Sequence, residues 1–304
     1  MLQALLESFA QVKSVEIIIM LDWRVCKKIS TGQLTRFIIT AEHKTLMEFE
    51  RLARQCDAVW PIAPEFDGIL QGLCEKVEAL NKILLTSSAV AVALAGNKWH
   101  TYQTLVRHHI ATVPTRLLAG QSIEPGTWII KAVDGAGCQD SFVVSDRETY
   151  QALVTARCPD RSAYIIQPLL EGKKTSLSCL FKQGRGWLIS INLQHFQLFD
   201  QQFQLTGIQV NYSSHFDRYS ALVGFIAEAF PTLWGYAGVD LIETNKAILV
   251  LEINPRLTTS FAGIQAARGI NVCANVLELI HGDPKIEPLC NQVVKLSASL
   301  VEGL

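Results

Sequence analysis

A chain of 304 residues is long enough for two or three domain-sized units, each with its own core. With 49% hydrophobic and 18% charged residues and a mean hydropathy of +0.22, it reads as a folded, rather apolar globular protein. Lys+Arg 27 against Asp+Glu 28 leave a formal net charge of −1, which argues against a broad electrostatic footprint for nucleic acid or acidic lipid.

No apolar run approaches the roughly 18 residues that a membrane helix needs. The start, "MLQALLESFAQV", carries Glu7 within its apolar pattern and has no basic lead, so it predicts an amphipathic helix rather than a signal peptide. Strands are expected at "VEIIIMLDW" and "RFIIT", a helix around "LMEFERLARQC", a strand in "DAVWPIAPE" that breaks at Pro61 and Pro64, and a helix over "GILQGLCEKVEALNKIL". This alternation predicts a small open sheet with largely parallel strands. The pattern changes around "TSSAVAVALAGNKWHTYQTLVRHH", where a helix is expected to begin near Asn97. Further strands are predicted at "TWIIKAV", "SFVVS", "AYIIQPLL", "TSLSCLF", "GWLISINLQ", "GVDLIET" and "AILVLEIN". Helices are predicted over "RETYQALVTARC", "YSALVGFIAEAFPTL" and "INVCANVLELIHG", with turns at "EPGT", "KQGRG" and "ETNKA". The 8 cysteines are scattered without a C-x-x-C pair, which points to reduced thiols rather than a zinc site or a disulfide framework. The expectation is a soluble, cytoplasmic protein.

The last two strands carry the strongest chemical signal. Residues two apart in a strand share a face, so Glu252, Asn254 and Arg256 lie on one side and Leu249, Leu251 and Ile253 on the other. The short turn "TNK" makes a hairpin in which Asp240 has matching parity with Glu252. Cross-strand neighbours sit roughly 5 Å apart when opposite and 7–8 Å when diagonal. Two carboxylates and an amide oxygen at that spacing suit one or two hard cations; Mg2+ prefers oxygen and keeps waters and substrate phosphates in its shell. Either carboxylate alone is as readily a solvated strand face, whereas the D…E-x-N-x-R combination favours a site.

Three weaker signals precede it. In "TWIIKAVDGAGCQDSFVV", Lys131 ends an apolar strand before Gly135 and Gly137, and such glycines let backbone N–H groups approach phosphate oxygens. The lysine precedes the glycines, so this is no Walker A loop, and a plain hairpin is the competing reading. In "GNKWHTYQTL", Asn97 is a helix cap and Lys98 stands where it can reach a phosphate or simply meet solvent. In "YIIQPLLEGKKTS", an apolar strand enters a linker whose backbone can read an adenine edge, or is an edge strand ended by Pro168.

Taken in order, these four pieces resemble the ATP-grasp superfamily, most specifically through the E-x-N-P-R form at 252–256. "DAVWPIAPEFDGIL", "NKWHTYQTL", "ISINLQ" and "LEINPRLTTSF" look like the tyramine–glutamate ligase family of methanofuran-type cofactor biosynthesis. The resemblance implies an α/β and α+β chain with the ATP-grasp fold: a β/α pre-ATP-grasp domain over 1–88, a small lobe with a glycine-rich flap over 89–168, and a large lobe with the metal site over 169–304. It implies ATP and Mg2+ (with Mn2+ as the alternative) as cofactors. Lys98 and Lys131 would contact phosphates, and the Asp134–Gly137 loop, with Gly135, would close over them. Gln167, Pro168, Leu169, Leu170 and Glu171 would receive the adenosine. Asp240, Glu252 and Asn254 would hold metal, and Arg256, with Lys131, would act on the transferring phosphoryl group. Asn192, Gln194 and the Thr258–Ser260 turn, including Thr259, are the acceptor candidates.

The chain departs from the family pattern twice. Lys173 and Lys174 stand where many relatives carry a ribose-binding glutamate, leaving Glu171 as the substitute. The family's first strand and glycine-bearing loop come before the helix that opens this chain, so the N-terminal sheet is expected to lack its first strand, through a truncated start or a trimmed domain. The activity implied is amide formation through an acyl-phosphate, joining the γ-carboxyl of glutamate to tyramine. A ligase for another acid and amine, or a non-catalytic nucleotide-binding protein, stay open as alternatives. The expected partners are small-molecule carboxylate and amine substrates, with no nucleic acid or membrane, and a homodimer by base rate alone. His100, His108, His109 and His195 are not expected to bind metal.

Overall fold

The computed structural model describes residues 1–13, 15–32, 34–119, 123–137 and 141–297. The chain opens with α1 (Leu2–Ala10), whose Leu5 and Leu6 are buried. It continues through β1 (Ile18–Asp22), β2 (Thr35–Ile39), α2 (Thr45–Ala53), β3 (Ala58–Val59), α3 (Ile69–Ala79) and β4 (Ile83–Leu84). As expected, β1 pairs with β2 and β3 with β4, both in parallel. The single open sheet does not form: these are two separate pairs, and among the described residues no strand joins them. Strand β3 stops before Pro61, which has no N–H for a ladder. Helix α3 is shorter than expected, because Asn81 turns left-handed at φ 53 and sends the chain into β4.

Two helices follow in place of the one expected, α4 (Ala89–Gly96) and α5 (Lys98–Arg107). Asn97 separates them, and its side chain accepts from the N–H groups of Trp99 and His100 at 3.0 Å each. The capped start puts Lys98 in the first turn of α5.

The remaining strands are β5 (Arg116–Leu117), β6 (Trp128–Ala132) and β7 (Ser141–Val144), then, after α6 (Arg147–Arg157), β8 (Tyr164–Pro168), β9 (Lys173–Lys182), β10 (Arg185–Phe199) and β11 (Gln202–Val210). Helix α7 (Phe216–Ala229) leads to β12 (Gly235–Glu243) and β13 (Ile248–Asn254). Helices α8 (Phe261–Arg268) and α9 (Val272–His281) and strand β14 (Val294–Ser297) complete the described elements. The strand order is β13-β12-β9-β10-β11-β7-β6-β8-β5, with β14 on β11, and the pairings are antiparallel. Two lobes therefore share one sheet, joined where Gln202 pairs with Phe142 and the Val143 N–H donates to Gln201 O at 2.8 Å.

Alternation packs the large-lobe sheet on both faces. Leu177, Cys179, Ile191, Val239 and Leu241 meet Val223 and Ile226 of α7. On the other face Leu180, Ile189 and Tyr236 meet Ile264 of α8 and Val276 of α9. In the small lobe Ile130, Val144 and Ile166 pack against Tyr150 and Val154 of α6. Each fully buried aliphatic side chain contributes roughly 1.5–3 kcal/mol, which lets one stretch of sheet face carry polar groups. No disulfide joins the described cysteines, and burial pushes Cys74 and Cys273 up to about 12, out of reach of ordinary thiolate chemistry. Cys138 lies outside the described residues. Among the described residues no helix is long and apolar enough to cross a membrane.

Candidate active site

The hairpin β12–β13 pairs Asp240 with Glu252 and Gly238 with Asn254, the register that parity predicts. One detail differs. The pairing then jumps to Leu241 with Val250, leaving Leu251 as an extra residue in a bulge. The bulge switches parity, so the core side of β13 is Val250 and Ile253, and Leu249 and Leu251 are only half-buried. Gly238 is a close-approach glycine: a Cβ there would lie 2.4 Å from Thr258 Cγ2, so the Thr258–Ser260 turn can lie against the sheet only if this residue is glycine.

Across the sheet the register aligns Asn192, Ser176, Asp240 and Glu252 in one row on four neighbouring strands. Asp240 accepts from Gln194 Nε2 and from Asn254 Nδ2, each at 3.0 Å. Glu252 Oε2 lies 3.5 Å from Lys98 Nζ, and that ammonium also donates to Gly135 O at 2.5 Å. Burial and the neighbouring Glu252 push Asp240 up to about 7. Burial also works to raise Glu252, but the charges of Lys98 and Lys131 outweigh it and hold that carboxyl below its usual range. The pair thus carries one ionised and one readily protonated carboxylate, and a divalent cation bound between them would favour ionisation of both. Among the described residues no group of three His, Cys, Asp or Glu side chains is placed to hold a metal. Two carboxylates and an amide oxygen form a hard donor set that leaves coordination positions for water and phosphate, and this fits Mg2+.

The flap meets this cluster from the small lobe. Lys131 lies on β6, and the α5 start is tied to the same strand's exit, since the Lys98 N–H donates to Val133 O at 2.7 Å. Asp134 accepts from the Asp67 N–H at 3.1 Å, and Gly137 is exposed with φ 65. Residues 138–140 of the flap lie outside the described residues.

At the hinge, Gln167 is 3% exposed and donates from Nε2 to Thr115 Oγ1 at 2.8 Å, while its Oε1 is buried with no hydrogen-bond partner. Leaving such an acceptor unsatisfied costs about 1–3 kcal/mol, and an exocyclic amine such as that of adenine would satisfy it. The N–H of Leu169, expected to be available for an adenine edge, is instead taken by Thr127 O at 2.8 Å, because β8 runs on beside β6. Pro168 and Leu170 are half-buried and Glu171 is exposed.

Arg256 is not isolated in the cleft. Its Nε donates to Glu65 Oε2 at 2.5 Å and its Nη1 to Leu257 O at 3.1 Å. It borders a cleft of about 390 Å³ walled by Pro61, Pro64, Phe66, Gly137 and Leu257. Glu65 was not among the expected site residues; a single glutamate after a proline has no periodic signal.

The acceptor candidates separate. Gln194 stands at Asp240, and Thr259 is exposed. Asn192 and Ser260, by contrast, are 0% and 2% exposed and sit inside a network rather than on the cleft surface. Ser190 donates to Asn192 Oδ1, Asn192 Nδ2 donates to Ser178 Oγ, and Tyr236, Thr258 and Ser260 close the set. Alternating serines in "TSLSCLF" and "ISINLQ" are the sequence sign of this polar sheet face. His195 points away from Asp240 and contacts Gln209.

Comparison with known proteins bears on the family and the fold. Residues 95–260 match the model of the ATP-grasp domain, and residues 15–92 match the pre ATP-grasp 3 domain. A tyramine–L-glutamate ligase of Methanocaldococcus fervens is 26% identical over 209 residues, 69% of this chain and 62% of that protein. The matched region thus spans about three fifths of the length of the curated relatives. An L-amino acid ligase from Bacillus licheniformis shares the fold with a TM-score of 0.71 at 17% identity, over 94% of this chain and 75% of that one. So does the biotin carboxylase domain of a Hydrogenobacter thermophilus 2-oxoglutarate carboxylase, solved with MgADP and bicarbonate, with a TM-score of 0.73 at 13% identity over 94% of this chain and 69% of that one. With the family model matching more than half of its length, the chain belongs to the ATP-grasp family.

Proposed function

We propose that this chain is an ATP-dependent carboxylate–amine ligase that transfers the γ-phosphoryl group to a carboxylate and lets an amine displace it, releasing ADP and phosphate. The observation that carries the reading is the partly buried cluster of Asp240, Glu252 and Asn254 with Lys98 at 3.5 Å from Glu252. A solvated strand face has no reason to collect two opposed carboxylates beside two lysines.

Asp240, Glu252 and Asn254 would hold Mg2+, which when bound neutralises charge on the phosphates and the leaving oxygen. Lys98 and Lys131 take over phosphate charge, Lys98 by releasing Glu252 and the Gly135 carbonyl. The Asp134–Gly137 loop covers the phosphates and keeps water from the acyl-phosphate. Gln167 Oε1 accepts from the adenine amine, and Pro168 and Leu170 flank the ring. Glu171 takes the ribose hydroxyls. Arg256 bears on the transferring phosphoryl group from the cleft. Gln194 keeps Asp240 oriented, and Thr259 is the exposed contact on the acceptor side. Catalysis by such a set rests on positioning and electrostatics. The division into 1–88, 89–168 and 169–304 goes with this reading.

For the substrates we propose the γ-carboxyl of L-glutamate and tyramine. The support is the likeness to the curated tyramine–L-glutamate ligase. The test is ADP release from Mg-ATP and glutamate, with and without tyramine, with the product mass measured. Release that needs both substrates, with an adduct of the condensed mass, is the expected result. Release that needs a different acid or amine overturns the substrate pair and keeps the ligase. No release with any acid and amine overturns both.

A further inference from the structure

Two residues of the N-terminal unit, Glu65 and Asp67, reach toward the site from one short loop. The Glu65 carboxylate accepts from Arg256 Nε at 2.5 Å, with the two side chains 6% and 20% exposed. Two residues on, the Asp67 N–H donates to Asp134 at the root of the flap. On its other flank Glu65 rests against Gly96, where a Cβ would lie 3.1 Å from Glu65 Cγ and 3.2 Å from its Cβ. Gly96 is not among the left-handed glycines, so a Cβ there would strain no backbone and would press only on the Glu65 side chain, which would have to give by a few tenths of an ångström. Gly96 directly precedes the Asn97 cap and Lys98.

We infer that Glu65 is a positioning residue: it fixes the plane of the Arg256 guanidinium for the transferring phosphoryl group, and it registers that plane against the start of the Lys98 helix. The inference rests on the ligase reading above. A guanidinium is a planar fork. With Nε held by Glu65 and Nη1 by Leu257 O, the direction of the Nη2 donors is set. Glu65 is itself buried, with its side chain 6% exposed.

A competing role has the opposite sign. If Glu65 served only to neutralise Arg256, removing its charge would strengthen the pull on a phosphate. If it positions Arg256, shortening it by one methylene while keeping the charge weakens contact with the γ-phosphoryl group. Glu65→Asp and Glu65→Gln therefore separate the two roles.

The experiment is calorimetric titration of wild type, Glu65→Asp, Glu65→Gln and Gly96→Ala with MgADP and with the Mg complex of the non-hydrolysable imidotriphosphate analogue, followed by steady-state kinetics. In Glu65→Asp, analogue affinity is expected to fall about tenfold while MgADP affinity stays within about twofold. Its kcat falls roughly 10- to 100-fold with little change in the KM for ATP. Glu65→Gln, which keeps an acceptor for Nε, and Gly96→Ala, which keeps both ionic partners but presses on Glu65, lose less in the same direction. Analogue binding by Glu65→Asp at the wild-type level, or tighter binding by Glu65→Gln, overturns the inference and leaves the ligase reading standing. Wild-type protein that binds neither nucleotide overturns the ligase reading, and this inference falls with it. A general folding defect would lower both nucleotide affinities together and would likewise contradict a positioning role.

Discussion

Asp240 and Glu252 stand opposite each other in the β12–β13 ladder, yet their environments drive their acidities apart. Glu252 has the lysines, whereas Asp240 accepts from the amides of Gln194 and Asn254. Such a pair is poised to give up a proton when a cation arrives.

Replacing Glu252 by Gln removes one charged donor and the partner of Lys98 while keeping the shape. ADP release is expected to fall by about a thousandfold or more, given the several kcal/mol that metal coordination supplies. The melting temperature should stay within a few degrees of wild type. Near-normal turnover would contradict the metal assignment.

The pH dependence of stability follows from Asp240. Its folded-state acidity, about 7, lies above the value of 3.8 for a free aspartate. Between those values the unfolded chain has lost the proton that the folded chain keeps, so metal-free stability falls as pH rises and levels off above about 7. Glu252 is held below its usual range by the charges of Lys98 and Lys131 and does not share this upward shift. Bound Mg2+ favours the ionised form, so the rise in melting temperature on adding Mg2+ should be larger at pH 7.5 than at pH 5.5. A Mg2+ effect independent of pH would contradict the shared site.

Gln167→Leu removes the unpartnered Oε1, while Thr115 Oγ1 keeps its bond to Val113 O at 2.8 Å. The nucleotide-free protein should be as stable as wild type or slightly more so, since a buried orphan is lost. Preference for ATP over GTP should drop by about tenfold, in line with the loss of one hydrogen bond. Unchanged selectivity, measured by competition binding, would move adenine away from this residue.

Asn192→Ala tests whether that residue is scaffold or substrate contact. It breaks the buried bonds to Ser176 O, Ser178 and Ser190, at an expected cost of about 1–3 kcal/mol per orphaned group. The melting temperature should fall clearly while the KM for the amine holds. A KM change in a protein of wild-type stability would return Asn192 to the cleft.

What could be read from the chain itself was whatever short-range chemistry encodes. The Asp240–Glu252 register follows from strand parity and a short turn, and the start of α5 from an asparagine cap before Lys98. The bulge at Leu251 was not legible, because one extra residue in a ladder leaves no mark on an apolar run. Strand β11 was missed because "FQLFDQQFQL" lacks a clean alternation and its turn uses Asp200 and Gln201 at φ 46 and 61, without the usual glycine. Glu65 was invisible for a different reason: its partner Arg256 is 191 residues away, and only the folded chain brings them together.

The central claim is that the cluster around Glu252 directs a carboxylate onto the γ-phosphate. The most direct test supplies glutamate labelled with 18O in its γ-carboxyl group, together with Mg-ATP and tyramine, and weighs the inorganic phosphate released. Transfer through an acyl-phosphate carries one labelled oxygen into each phosphate, and that is the predicted result. Amide formation with unlabelled phosphate would contradict it.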